Sequence, residues 1–347
     1  MNIKKQVRKR VTLKDVAKVL SLTPATVSKA LSDGSDISEE TKEKVRKVCA
    51  ELGYRPNLLA RSLISNRSRI LGVLVPDLRI SFFSEAVRGM YEEASRKGYE
   101  CLVLVHDENV HKERKKLEFL SDIHADGILL NAAGGKSNYD LYNKINEEGV
   151  RIVCWDRSLN DDLEFRTVKI DDINASFKLT SKLIKLGRKN ILFLGPNTGL
   201  RLLQDRFSGY KMALDKNNVE YNHELVVQSF RSVEDSYKKM LSILDKGIKI
   251  DAIVSIGGLI TYGAGKALLE RNYSIPEDVI IGEFGDNDIV YRLGVPFYTV
   301  FQSPYEIGKA ATDLLIKMIE TRKEDKEFDD IIVDSKICER RQIKVSQ

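Results

Sequence analysis

Cysteine, histidine and tryptophan are scarce in this chain of 347 residues, which holds four, four and one of them. Cys49, Cys101, Cys154 and Cys338 lie far apart and form no Cys-x-x-Cys pair, so no zinc ribbon or redox pair is available. They fall mostly in apolar stretches and are expected to be buried free thiols. The four histidines show no metal-ligand spacing, and none pairs with an evident nucleophile. Gly134-Gly135 and Gly257-Gly258 are too bare to cradle a phosphate. No enzyme, metal or cofactor is expected from this composition. Hydrophobic runs long enough to span a membrane are missing, and the basic N-terminus lacks the apolar stretch of a signal peptide. Both absences point to the cytoplasm and away from a secreted binding protein.

Charge is abundant but unevenly spread. Residues 1–69 carry sixteen Lys or Arg against seven Asp or Glu, whereas the whole chain is only +5, so the remainder is mildly acidic. A basic head on an acidic body is the electrostatic footprint of nucleic-acid binding.

The head has a matching architecture. Thr12 followed three residues later by Asp15 starts a helix, and Leu13, Val16, Ala17 and Leu20 give it one apolar stripe. Ser21 and Leu22 make a turn. Thr23 caps a second helix with Pro24 at its first position, where no amide donor is missed. Val27, Ala30 and Leu31 face inward there, leaving Pro24, Ala25, Thr26, Ser28 and Lys29 outward. A third helix opens near Ser38, buries Val45, Val48, Cys49 and Leu52, and ends at Gly53. Two capped helices joined by a tight turn place side chains in a DNA major groove.

Next comes Gly-Tyr-Arg-Pro-Asn-Leu-Leu-Ala-Arg-Ser-Leu at 53–63. Pro56 ends what precedes it, and Asn57 can cap about two further turns of helix, marginal on their own in water. The segment reads either as a basic linker or as a hinge that orders on DNA, with a leucine wedged into the minor groove.

In residues 70–347, short apolar runs alternate with helical stretches. The runs include Ile70–Val75, Cys101–Val105, Gly127–Leu130, Arg151–Trp155, Ile191–Gly195, Ala252–Ile256 and Val279–Gly282. Alternation of this kind predicts an α/β body with parallel sheets covered on both faces, and ligands in such sheets bind at the carboxyl ends of strands. Those ends carry Phe82-Phe83, Asn131, Trp155-Asp156-Arg157, Arg206, Asp286-Asn287 and Gln302. Aromatic faces beside carboxylate, amide and guanidinium groups fit a polyhydroxylated ligand such as a sugar. Taken singly, each also has a structural reading, since an Asp after a strand often caps the next helix.

The runs 12–31 and 38–52, Gly-Tyr-Arg-Pro-Asn at 53–57 and Leu-Ala-Arg-Ser-Leu at 59–63 resemble the lactose-repressor (LacI/GalR) family, and the likeness extends more loosely over the body. The resemblance implies a helix-turn-helix headpiece at 1–56, a hinge at 57–69 and a two-lobed, periplasmic-binding-protein-like core at 70–347. Within that core it implies an N-terminal lobe of about 70–168 and 299–328, with a C-terminal lobe of about 169–298 and 329–347. The DNA-facing set would be Thr12, Thr23, Pro24, Ala25, Thr26, Ser28 and Lys29 with Asn57, Ala60, Arg61 and Leu63 from the hinge. Pro24 and Ala25 offer no hydrogen bond to a base edge, so contact there would be apolar. An effector cleft would draw on Phe82, Phe83, Asn131, Asp156, Arg206, Asp286 and Gln302, to which the strand ends add Trp155. The chain departs from the family at Gly257-Gly258-Leu259, where many members place a polar pair, at Leu200 and Leu202, and in the order Gly-Glu-Phe-Gly-Asp-Asn at 282–287.

The expectation is therefore a ligand-responsive repressor of carbohydrate genes, binding a palindromic operator as a homodimer or tetramer, with no membrane partner. The alternatives are a purine or nucleoside effector, for which Phe82 and Phe83 could stack on a base, and a sugar-binding protein whose helical N-terminus is incidental.

Overall fold

The structure is a computed structural model that describes residues 11–31, 36–54, 67–159, 165–196, 200–229, 232–285, 287–321 and 328–341. The chain divides into two compact units, 1–68 and 69–347.

In the first unit, α1 (Leu13–Leu20) and α2 (Pro24–Leu31) precede α3 (Glu39–Leu52). Asp15 reaches back to accept from the Thr12 N–H at 2.8 Å and the Thr12 hydroxyl at 2.7 Å, tying down the start of α1. Thr23 Oγ1 accepts from the Thr26 N–H at 3.1 Å, and Ser38 Oγ from the Thr41 N–H at 3.3 Å. Each such cap is worth about 1 kcal/mol. Val16, Ala17, Val27, Ala30, Val45 and Cys49 close a small core between the three helices. Leu52, expected inside, is 36% exposed instead. Cys49 in the same last turn faces the core, and Leu52 lies on another side of the 14-residue α3, beyond the eight-residue partners. The hinge residues Asn57, Ala60, Arg61 and Leu63 lie outside the described residues.

The second unit opens with β1 (Ile70–Val75), α4 (Ser81–Arg96), β2 (Glu100–Val105), α5 (Val110–Asp122), β3 (Gly127–Leu130), α6 (Tyr139–Glu147), β4 (Arg151–Trp155) and β5 (Arg166–Lys169). A second set follows: α7 (Asp172–Lys185), β6 (Ile191–Gly195), α8 (Arg201–Lys216), β7 (Val226–Gln228), α9 (Val233–Asp245), β8 (Ala252–Ser255), α10 (Gly258–Glu270), β9 (Ile280–Phe284), α11 (Asp288–Tyr291) and β10 (Phe297–Phe301). The chain then runs through α12 (Pro304–Glu320), β11 (Ile331–Ile332) and β12 (Lys336–Arg340).

Among the described residues these strands form two six-stranded sheets, ordered β11-β5-β4-β3-β1-β2 and β12-β10-β9-β8-β6-β7. Pairing is parallel throughout except between β10 and β12. Alternate residues of β1 serve opposite faces: Leu71 and Val73 join one apolar cluster, Leu74 another. Both faces are covered, which is why the strands read as unbroken apolar runs.

Each sheet centres a lobe, and the chain passes between them after β5, after β10 and after β11. The last two passages come later than expected. Residues 299–301 belong to β10 in the second sheet, and Ile331–Ile332 pair with β5 in the first. The apolar run at 297–301 cannot reveal from its own composition which sheet receives it.

Helix α12 returns to the first lobe and lies against α4 at backbone distance. A Cβ on Gly308 would come within 1.9 Å of the Ala86 carbonyl oxygen. Helix propensity alone would make Gly308→Ala stabilising by about 1 kcal/mol. Overpacking should outweigh it and give net destabilisation of about 1–3 kcal/mol in urea unfolding of the full chain; a neutral or stabilised variant would contradict this contact.

Candidate DNA-facing helix and interlobe cavity

The exposed surface of α2 is narrow. Thr12, Thr23, Pro24, Ala25 and Lys29 are exposed, whereas Thr26 and Ser28 are half-buried. Thr23 and Thr26 are partly committed to capping, their hydroxyls 2.8 Å apart. The Lys29 ammonium pairs with Asp36, whose carboxyl is held below its usual range by that hydrogen bond. The pair is open to solvent, so a phosphate can take the lysine at little cost. Pro24 and Ala25 present a small apolar step at the helix N-terminus, flanked by hydroxyl and ammonium groups.

The second unit contains a cavity of about 490 Å³ at the carboxyl ends of both sheets. Parallel strands deliver their following helices there, so the first turns of α4, α8 and α10 line it: Ser81, Phe82 and Phe83, then Leu202, then Gly258, Leu259 and Ile260. Phe82 and Phe83 meet edge to face, with ring centroids 5.3 Å apart. Their wall and the apolar residues at 256–260 give the cavity a largely hydrophobic lining.

Arg206, on α8 of the second lobe, supplies its central polar group. It is only 5% exposed. Its Nε donates to Asp172 Oδ1 at 2.7 Å, its Nη2 to Gln302 Oε1 at 3.0 Å, and its guanidinium lies 4.2 Å from the Phe284 ring centroid. Asp172 opens α7 just past the first crossing between lobes, and Gln302 sits at the second. One buried cation thus ties the first two crossings.

Asp156 ends the first-lobe strand β4 with a left-handed φ of +61°, pinned by its N–H on the Val168 carbonyl at 2.8 Å. Asp tolerates this conformation better than most residues, but it still carries strain. Asn131 lies fully buried beneath it. Asn131 Nδ2 donates to the Trp155 carbonyl at 3.1 Å and reaches Asp156 Oδ2 at 3.4 Å. His106 Nε2 meets the Asn131 carbonyl at 2.8 Å, and burial pushes the imidazole below its usual pKa, toward the neutral form.

Of the expected cavity residues, Phe82, Phe83, Asp156, Arg206 and Gln302 line it directly. Trp155 does not: its ring is fully buried behind Phe83, centroids 6.0 Å apart, and supports the wall. Asn131 likewise acts from behind, through Asp156. Asp286 lies outside the described residues, while its neighbours Gly285 and Asn287 line the cavity. Arg157, named with the strand ends but not carried into the expected effector set, lines the cavity as well. Arg157 is 2% exposed and forks onto Glu108 at 2.7 and 2.6 Å. Sequence reasoning missed Asp172, which the sequence presents as an ordinary helix start.

Burial raises the Asp172 carboxyl to about 6, with Asp156 adding repulsion and Arg206 and Lys169 opposing the rise. A folded pKa above the unfolded value means the folded state holds the proton more tightly. This group therefore adds stability as pH falls below about 6, a contribution lost again as pH rises through that value. Asp172→Asn should flatten that part of the profile, changing the wild-type-minus-variant stability difference by about 2 kcal/mol between pH 7.5 and 4.5. Parallel profiles for the two proteins would contradict the assignment.

Comparison with known proteins matches the same two parts. Residues 12–57 match the family described as bacterial regulatory proteins, lacI family, and residues 71–324 match a periplasmic binding protein domain. The HTH-type transcriptional regulator RegA of Clostridium saccharobutylicum is 30% identical over 315 residues, covering 90% of this chain and 94% of that protein. The ribose operon repressor of Halalkalibacterium halodurans is also 30% identical, covering 90% and 92%. Among solved structures, the lac repressor dimer bound to operator and the anti-inducer ONPF shares the fold with a TM-score of 0.83 at 20% identity, over 96% of this chain and 99% of that one. The transcription regulator CcpA of Lactococcus lactis aligns with a TM-score of 0.70 at 26% identity, over 79% and 99%. A capped helix pair with a basic head, two parallel-sheet lobes around a cavity, and these relatives agree: the chain belongs to the LacI family of bacterial transcriptional regulators.

Proposed function

We propose that this chain is a repressor of carbohydrate genes that binds a palindromic operator as a homodimer and takes a sugar as effector in the interlobe cavity. It acts in the cytoplasm by binding rather than by catalysis. The observation that carries the reading is Arg206, a buried cation held at two of the three crossings and facing a cavity walled in part by aromatic and apolar side chains. A sugar hydroxyl can accept from this guanidinium and donate to Asp156, while Phe82 and Phe83 cover the apolar face of the ring. The names of relatives support the sugar class: a ribose operon repressor in one genome, and a solved CelR–cellobiose complex.

Occupancy would alter how the lobes close, because a ligand bridging both favours the closed arrangement by its differential affinity alone. The hinge at 57–69 would carry that change to the headpieces. Pro24 and Ala25 would then make apolar contact in the major groove, with Thr12, Thr23, Thr26, Ser28 and Lys29 on phosphates and base edges. Asn57, Ala60, Arg61 and Leu63 would form the hinge contacts in the minor groove.

The test uses the full chain and an operator selected from random DNA. A responding sugar should shift operator affinity by about 5–150-fold. Arg206→Ala should keep operator binding without ligand and lose that shift; an intact response in the variant would refute the site. In the same titrations Leu63→Ala should weaken operator binding by at least about tenfold and leave random-DNA binding nearly unchanged. Equal loss on both DNAs would sink the wedge.

A further inference from the structure

The strand β9 carries a carboxylate where its neighbours are apolar. Glu283 is completely buried, between Ser255 of β8 and Thr299 of β10 in the sheet register. It does not line the cavity. Its Oε1 accepts from the Thr299 hydroxyl at 2.9 Å and the Asn287 N–H at 3.3 Å, and its Oε2 accepts from Asn287 Nδ2 at 3.0 Å. Asn287 does line the cavity, and its Nδ2 also donates to the Phe284 carbonyl at 3.1 Å.

An asparagine amide has two hydrogens, and both are spent on these two acceptors. The carbonyl oxygen remains. Asn287 is the N-cap residue of α11, yet its side chain makes no capping hydrogen bond, so the oxygen is not used in the way an N-cap asparagine ordinarily uses it. The amide sits in space that only glycines leave open. A Cβ on Gly258 would lie 2.3 Å from the Asn287 Cβ, and one on Gly285 would lie 2.7 Å from its Nδ2. The bare Gly257-Gly258 pair thereby gains a reason: its missing side chain admits the Asn287 amide.

We propose that Glu283 is a positioning residue that locks the Asn287 carboxamide with its carbonyl oxygen available to the cavity, so that this wall accepts hydrogen bonds and selects an effector bearing a hydroxyl or N–H there. The proposal rests on the effector reading of the cavity. With Asp156 on the opposite lobe, it sets acceptors on two walls of a cavity whose donors include Arg206 and Arg157. A ligand rich in hydroxyls, each of which both donates and accepts, serves acceptors and guanidinium groups together; one offering only carbonyl or ether oxygens leaves both acceptors dry and unpaired.

Two measurements on the full chain test it. In asparagine-labelled protein, with the signal assigned by its loss in Asn287→Ala, the Asn287 side-chain hydrogens should exchange at least about tenfold more slowly than those of exposed asparagines. Glu283→Gln should abolish that protection and leave β9 backbone signals in place. Unprotected hydrogens in the wild type, or protection unchanged in Glu283→Gln, would overturn the proposal. In calorimetry with D-ribose, D-glucose, cellobiose and adenosine as probes, any that binds the wild type should lose about 10–100-fold affinity in Glu283→Gln. It should lose as much in Asn287→Ala and no more in the double variant, because the two residues act as one unit. Additive losses, or probe binding that survives Glu283→Gln, would overturn it. Protected Asn287 hydrogens with no probe bound would instead count against the effector reading, so the two fail separately.

Discussion

A single buried guanidinium organises the core. Removing a charge from water costs several kcal/mol, and that cost is tolerable only if partners are fixed around it. Arg206 obtains them from Asp172, Gln302 and the face of Phe284. Two of these three lie where the chain passes between lobes, so the demand to satisfy one cation also fixes the crossing geometry. Removing one partner would leave an uncompensated charge, a loss of about 3–5 kcal/mol. The cation therefore stays where hinge and cavity meet, and a ligand that engages it acts directly on the crossings.

The surrounding chemistry follows from strand direction. Parallel strands all end on one side, so the loops and helix starts that bear Phe82, Asp156, Arg206, Asn287 and Gln302 converge there. The polar groups are backed by others that never reach the cavity. Asn131 holds Asp156, and Glu108 and the Ala132 carbonyl hold Arg157. The network is not fully paired: among the described residues Asn131 Oδ1, Arg157 Nε and Asp172 Oδ2 are buried without a hydrogen-bond partner, a cost borne next to the cavity.

Much of this was legible in the sequence because the signals were local. Thr12 with Asp15, Thr23 with Pro24, and the apolar period of the first helices describe the headpiece from neighbouring residues alone. The strands were legible as unbroken apolar runs, since both sheet faces are covered. Less accessible was anything that depends on contact at long range. Asp172 looks like any acidic helix start until Arg206, 34 residues on, is folded against it. Glu283 looks like an intrusion into an apolar strand until Thr299 and Asn287 surround it. Trp155 looks like a ligand platform because it precedes Asp156, but strand alternation turns its ring inward behind Phe83.

The central claim is that occupancy of this cavity changes the separation of the two lobes. Spin labels at the exposed Phe119 of α5 and Met212 of α8, one on each lobe, report it directly by pulsed electron resonance on the full chain. A sugar that shifts operator affinity should narrow the distance distribution and move its centre, and the same sugar should leave the distribution of Arg206→Ala unchanged. An unchanged distribution in the wild type at saturating sugar, with operator affinity still shifting, would contradict the account.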